Sequence, residues 1–171
     1  AHGGIASRRK VRIRKIRAED MLDDGVELLD GVNGVLIPGG FGERGLEGKI
    51  RAIEWARRNG VPFFGICLGM QCAVIEYARN ELGLDGAHTL EHSPDSPHPV
   101  INLMDDQEGV EKGGTMRLGS YPCLPQENTR TMAAYQSPLV SERHRHRFEP
   151  PATSAAGASS SGSRRTRWNA W

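Results

Sequence analysis

Two short apolar runs, each closed by a tight turn and followed by a helical pattern, constrain this chain most. Gly34 to Ile37 reads GVLI and runs into Pro38-Gly39-Gly40. Val61 to Ile66 reads VPFFGI and runs into Cys67-Leu68-Gly69. Continuous apolar runs of this length, bounded by turn residues, have the form of buried parallel strands. From Leu46 to Asn59, Ile50, Ile53 and Ala56 recur at helical spacing among charged residues, and Gly60 is placed to end that helix. Leu68 to Leu82 reads as a second helix, with Met70, Ala73, Val74, Tyr77 and Ala78 on its apolar stripe. Strand, helix, strand, helix with short connections predicts an α/β, doubly wound fold around a mostly parallel sheet.

The flanking segments are less regular. Arg8 to Arg17 (RRKVRIRKIR) is strongly basic, and the alternation of Val11 and Ile13 predicts a strand with one solvated face. Met21, Leu22, Val26, Leu28 and Leu29 suggest a short helix or helical turns broken near Gly25. Residues 84–112 are polar and dotted with Pro and His, and are expected to be loop-rich. Thr115–Cys123 and Val140–Phe148 are candidate strands. The tail from Pro150 to Trp171 has no Ile, Leu, Val or Met, so it cannot bury enough surface to offset the entropy of ordering. The expected organisation is one domain over residues 1–149 followed by a disordered tail over 150–171.

Composition removes several function classes. Lys plus Arg number 22 against 21 for Asp plus Glu, so no whole-protein field attracts nucleic acid or an anionic membrane. The Arg8–Arg17 run fits a solvated strand face better than an RNA site, and a phosphate patch is one use open to the Arg143–Arg147 run. No run approaches the length of a spanning helix and no basic-then-apolar leader opens the chain, which predicts a soluble, cytoplasmic protein. Three cysteines, Cys67, Cys72 and Cys123, without CxxC spacing, argue against a disulfide framework or a closed zinc site.

Chemistry concentrates at Gly65-Ile66-Cys67-Leu68-Gly69. This G-x-C-x-G pattern lies where a buried strand turns directly into a helix, and its glycines let backbone pass close to backbone there. Such a turn presents a side chain at the carboxyl edge of the sheet, where open α/β folds place their ligands. The amide of Leu68 would face an oxyanion formed when the Cys67 sulfur attacks a carbonyl. In a parallel sheet the tip of Pro38-Gly39-Gly40-Phe41-Gly42 lies beside this turn and can offer a second amide, that of Gly40. A phosphate cradle is the competing use of that loop, but PGGFGERG matches neither phosphate-binding glycine signature. Cys72, inside the helix, and Cys123, after Tyr121-Pro122, read as structural.

The stretch LIPGGFGERGLEGKIRAIEWARRNGVPFFGICLGMQ at Leu36–Gln71 resembles the class I (triad) glutamine amidotransferase domain. With GGTMRLG at Gly113–Gly119 and ERHRHRFE at Glu142–Glu149 it resembles, more narrowly, the amidotransferase domain of the CTP synthase family. The resemblance covers most of residues 1–148. It implies that Cys67 is the glutaminase nucleophile and that Gly40 and Leu68 supply the oxyanion amides. It further implies a glutamine site of Gly40, Phe41, Leu68, Gly69, Met70, Gln71, Glu91 and Arg147, with Arg143 and Arg145 left open as alternatives to Arg147. No metal and no cofactor is implied for this domain. ATP and Mg would belong to a synthetase domain, absent here, that aminates UTP to CTP; a homo-oligomer is implied for the full-length family. Family members continue to a late His-Pro-Glu that completes the Cys-His-Glu triad, whereas the resemblance here stops near Glu149. The expectation is therefore a truncated or frameshifted domain, weakly active or inactive. The alternative is a non-catalytic pseudo-amidotransferase acting as a binding or interaction module.

Overall fold

The two glycine-closed runs pair with each other. In the computed structural model, which describes residues 2–23, 25–104, 108–109, 120–143 and 146–150, β1 (Val35–Ile37) and β2 (Phe63–Gly65) form a parallel ladder. Its register sets Leu36 beside Phe64 and Ile37 beside Gly65. Ahead of this pair lie two short helices, α1 (His2–Ala6) and α2 (Asp20–Asp23), and a 3-10 turn at Gly25–Leu29. Helix α3 (Leu46–Arg58) makes the crossover from β1 to β2, and α4 (Leu68–Asn80) leaves β2 through the Cys67 turn. The α/β alternation expected from the sequence is thus present.

Helices α3 and α4 pack on one another and share the core. Leu46, Ile50, Ile53 and Ala56 of α3 are buried, the stripe that 3.6-residue periodicity requires. On α4 the buried residues are Leu68, Gly69, Gln71, Cys72, Ile75, Glu76 and Ala78. The stripe expected there is rotated: Met70, Ala73, Val74 and Tyr77 are only half-buried. The cause is Glu76, a carboxylate that patterning assigns to solvent. The Arg57 guanidinium neutralises it, with Nη2 to Oε1 at 2.7 Å, and Asn80 Nδ2 donates to the same oxygen at 3.0 Å. Arg57 also bonds Glu81 beyond the end of α4.

The second half is built from smaller pieces. Strands β3 (His88–Thr89) and β4 (Pro99–Leu103) pair in parallel, and β7 (Phe148–Glu149) joins β4 antiparallel, giving the order β3-β4-β7. A separate antiparallel pair is formed by β5 (Ser120–Cys123) and β6 (Val140–Arg143), with α5 (Arg130–Tyr135) between them.

Four expectations are corrected. Residues 9–17 are irregular rather than a strand, with Val11 and Ile13 55% and 78% exposed; Arg14 Nη1 instead clamps the carbonyls of Leu28 and Asp30, both at 3.0 Å. The segment 84–112, expected to be loop-rich, carries β3 and β4, with Ile101 fully buried. The β1–β2 pair is covered on one face only, for Leu36 and Phe64 are 61% and 52% exposed. Of the expected strand at Val140–Phe148, Val140–Arg143 forms β6 and Phe148 begins β7, while His146 and Arg147 lie outside any strand. The tail beyond Pro150 and the Gly113–Gly119 motif lie outside the described residues. No described helix is long and apolar enough to cross a membrane.

Candidate active site

Backbone geometry at the β2–α4 turn is set by close approach. A Cβ on Gly65 would stand 2.5 Å from the carbonyl carbon of Gly69, and one on Gly69 would stand 2.3 Å from Ile37 O. No L side chain fits at either place. The chain enters the turn through Ile66 N–H donating to Ile37 O at 2.9 Å. It leaves as α4, with Met70 and Gln71 amides donating to Cys67 O at 3.0 and 3.1 Å. Between them Cys67 is held at φ 55°, ψ −111°, a conformation that costs a non-glycine residue about 1–3 kcal/mol. Its thiol is free and half-buried.

The loop after β1 lies directly against this turn. A Cβ built on Gly39 would approach Cys67 Cβ to 3.2 Å and Cys67 Sγ to 3.8 Å, and one on Gly40 would meet Leu68 Cδ2 at 3.7 Å. Leu68 is the first residue of α4, and the leading amides of a helix have no acceptor inside it. One sulfur is therefore flanked by a helix start on one side and a glycine backbone on the other. Phe41, at the loop tip, is 92% exposed.

Residues from the second half approach α4 through β4 and β3, both of which pack on that helix. Gln71, 6% exposed, donates from Nε2 to the backbone oxygen of Phe148 at 2.9 Å, and so joins β7 to α4. Arg147 precedes that strand, and its carbonyl accepts from Met104 N–H at 2.8 Å. Arg147 Nε and Nη1, Glu149 Oε1 and Asn102 Oδ1 are all shut from solvent, and the β4–β7 register places Asn102 opposite Glu149. Of the alternatives to Arg147, Arg143 ends the separate β5–β6 pair and Arg145 lies outside the described residues. Glu91 follows β3, where its amide donates to Thr89 Oγ1 at 3.2 Å. Its carboxylate stands 3.9 Å from His92 Nε2, its one ion partner among the described residues.

The remaining cysteines differ sharply in setting. Cys72 is fully buried, and burial pushes its thiol up to about 11, so it remains a protonated packing residue. Cys123 is exposed on β5. Among the described residues no group of three or more His, Cys, Asp or Glu is placed to hold a metal ion. A shallow cleft of about 230 Å³, lined by Leu22, Glu43, Gly45, Leu46, Glu47 and His88, includes no residue of the Cys67 turn. Two contributors escaped the sequence reasoning. Gly39, rather than Gly40, makes the tight contact with Cys67, a detail of loop trajectory that the GG dipeptide leaves open. The Gln71–Phe148 bond spans 77 residues, and no local pattern announces it.

Comparison with known proteins identifies the family. The family model described as glutamine amidotransferase class-I matches residues 1–166. CTP synthase of Clostridium perfringens is 61% identical over 150 residues, and that of Geobacter metallireducens is 59% identical over 150. Each alignment covers 86% of this chain and 28% of the relative, so the chain spans well under a third of these proteins. Among solved structures, the Trypanosoma brucei CTPS glutaminase domain with bound acivicin superposes with a TM-score of 0.82 at 35% identity. That match covers 92% of this chain and 62% of the other. The chain belongs to the class I glutamine amidotransferase family, in the form found in CTP synthases.

Proposed function

We propose that this chain is a glutaminase module that draws ammonia from L-glutamine, with Cys67 as nucleophile. The observation that carries the reading is the packing of the Gly39-Gly40 backbone against Cys67, within 3.2 Å of Cβ for a side chain placed at Gly39. Sγ attacks the side-chain amide carbon of glutamine, and the carbonyl oxygen takes up the negative charge. The amides of Leu68 and Gly40 hold that oxyanion; a donor of this kind is worth about 10²–10³-fold in rate. Collapse breaks the C–N bond, the nitrogen leaves as ammonia after taking the proton that the Cys67 thiol gave up, and a thioester remains on Cys67. Water then cleaves the thioester, giving glutamate and the free thiol. Glu91 pairs with the substrate ammonium and Arg147 with its α-carboxylate, the charge matches those groups require. Phe41, Gly69 and Met70 line the site around them.

In the longer relatives' architecture the released ammonia would serve an ATP- and Mg-dependent synthetase domain that converts UTP to CTP in the cytoplasm, within a homo-oligomer. Support for this wider role is the 61% identity to a CTP synthase. The module itself needs no cofactor in this mechanism.

A chloroketone analogue of glutamine tests the reading. Mass analysis is expected to find one adduct, on Cys67, formed with saturable kinetics and slowed by glutamine, together with at most weak ammonia release from glutamine itself, because the chain carries no late His-Pro-Glu to complete a triad. Saturable labelling without ammonia release would identify a module that binds glutamine without turnover. Labelling that never saturates, or that falls on Cys123 alone, overturns the glutamine site.

A further inference from the structure

Between β1 and α3 the chain runs from Pro38 to Gly45 in a loop with little structure of its own. From Gly39 to Arg44 no backbone N–H donates to a described residue. A segment without internal bonds takes its course from the points at which it is fixed. The near point is the Cys67 turn, against which Gly39 lies. The far point is the start of α3, where Gly45 and Gly48 both face Ala18. A Cβ on Gly45, which stands at φ 69°, would approach Ala18 Cβ to 2.7 Å, and one on Gly48 would approach Ala18 O to 1.7 Å. The two glycines thus form a notch that admits no side chain of their own, and Ala18 occupies it. Met21, 2% exposed, packs beside the same notch, and Arg51 Nη1 donates to Leu22 O at 3.1 Å. Arg44 also pairs with Glu19, but its side chain is 81% exposed and such pairs are worth little, so the notch is the anchor.

Gly40 lies between the two fixed points. Its N–H belongs to the peptide that joins it to Gly39, and neither residue has a Cβ to restrict rotation of that peptide. The direction of the N–H is therefore set by where the chain must arrive at Gly45. We propose that Ala18 is a positioning residue: seated in the Gly45–Gly48 notch, it fixes the far end of the Pro38–Gly45 loop and so aims the Gly40 N–H at the oxyanion. The catalytic consequence rests on the glutaminase reading above; the notch itself does not.

The test uses the full chain carrying Gly48→Ala, whose methyl must displace Ala18 O, or Ala18→Gly, which removes the Cβ resting on Gly45. Neither residue belongs to the proposed glutamine site. The probe is the chloroketone analogue of glutamine. Cys67 Sγ bonds to its chlorine-bearing carbon, chloride leaves, and the thiol proton goes to solvent. Amides that polarise the neighbouring ketone oxygen speed this step. In Gly48→Ala the limiting labelling rate is expected to fall about tenfold, part of the 10²–10³-fold worth of a whole oxyanion donor. The half-saturating concentration stays within about twofold, because ground-state binding is untouched. Alkylation of Cys67 by iodoacetamide, which nothing holds in the glutamine site, keeps its rate. In Ala18→Gly the limiting rate falls about threefold.

A merely structural loosening would raise the half-saturating concentration and quicken the iodoacetamide reaction, and that outcome overturns the proposal. So does an unchanged limiting rate in Gly48→Ala. Should Gly48→Ala fail to fold, Ala18→Gly decides, and a limiting rate equal to that of the unsubstituted chain overturns the positioning role. Failure of the glutaminase reading is recognised separately, since it appears as labelling of the unsubstituted chain that never saturates.

Discussion

Residues 35–80 hang two thirteen-residue helices on a parallel strand pair, while the described part of residues 88–149 is built on strands of two to five residues. In the first region, contacts that set the nucleophile come from residues close in sequence or from one crossover: Gly65 on Gly69, Gly39 on Cys67, Arg57 on Glu76. In the second, the two-residue strand that follows Arg147 meets the same helix through the Gln71 side-chain amide and through its pairing with β4. The difference teaches that the Cys67 sulfur, the proposed nucleophile, is placed by close backbone packing, whereas the strand beside Arg147 is held to α4 by a directional side-chain bond. Packing is cooperative and stiff; isolated bonds are worth about 1 kcal/mol each and open locally.

The comparison can be broken or sharpened by substitution. The largest effect is expected from Cys67→Ser, which should lower glutamine hydrolysis and chloroketone labelling by on the order of 10³-fold or more while the thermal midpoint stays within a few degrees. Arg57→Met comes next. Its side chain and that of Glu76 are 9% and 1% exposed, so removing one partner strands a buried charge at about 3–5 kcal/mol, read by urea unfolding. The double change Arg57→Met, Glu76→Met should recover most of that loss; if it does not, the first region is held by something other than its packed helices.

Smaller effects probe finer features of both regions. Gly69→Ala must move Ile37 O or α4, at about 1–3 kcal/mol, and should slow Cys67 alkylation along with it. In the second region Thr129 Oγ1 caps α5 by accepting from Met132 N–H at 3.1 Å. Thr129→Ala is expected to cost about 1 kcal/mol, seen as faster hydrogen exchange in α5 with none in α4. The smallest effect is a pH dependence at His88. Burial, with Arg79 nearby, holds its imidazole below the ordinary 6.5, so the folded state binds fewer protons than the unfolded chain. That stability is complete above about pH 6.5 and is lost as pH falls through the unfolded value toward the folded one. His88→Asn should flatten the urea midpoint between pH 7 and 5.5.

Legibility in the sequence followed the same divide. The β1–α3–β2–α4 run and the Cys67 turn were readable because their signals are local: apolar run, glycine pair, helical period. The α4 stripe was misplaced because Glu76 is buried with a partner from another helix, and a one-dimensional pattern scores a carboxylate as surface. The basic segment at Arg8–Arg17 alternates like a strand, yet among the described residues it has no ladder, and alternation without a pairing partner fixes nothing. Strands β3 and β7 have two residues each, too few to carry a period. At the site, Cys67, Gly40 and Leu68 could be named from the turn itself. Glu91 and Arg147 required a resemblance, and the tie through Gln71 required coordinates.

The torsion angles at Cys67 have one more implication. Glycine is the residue at ease with φ 55°, ψ −111°, so a chain that exchanged the whole Cys67 side chain for a hydrogen atom would shed part of a permanent internal tension and resist heat longer. Reactivity and durability therefore pull this position in opposite directions, and the variant with glycine there should be the hardier one.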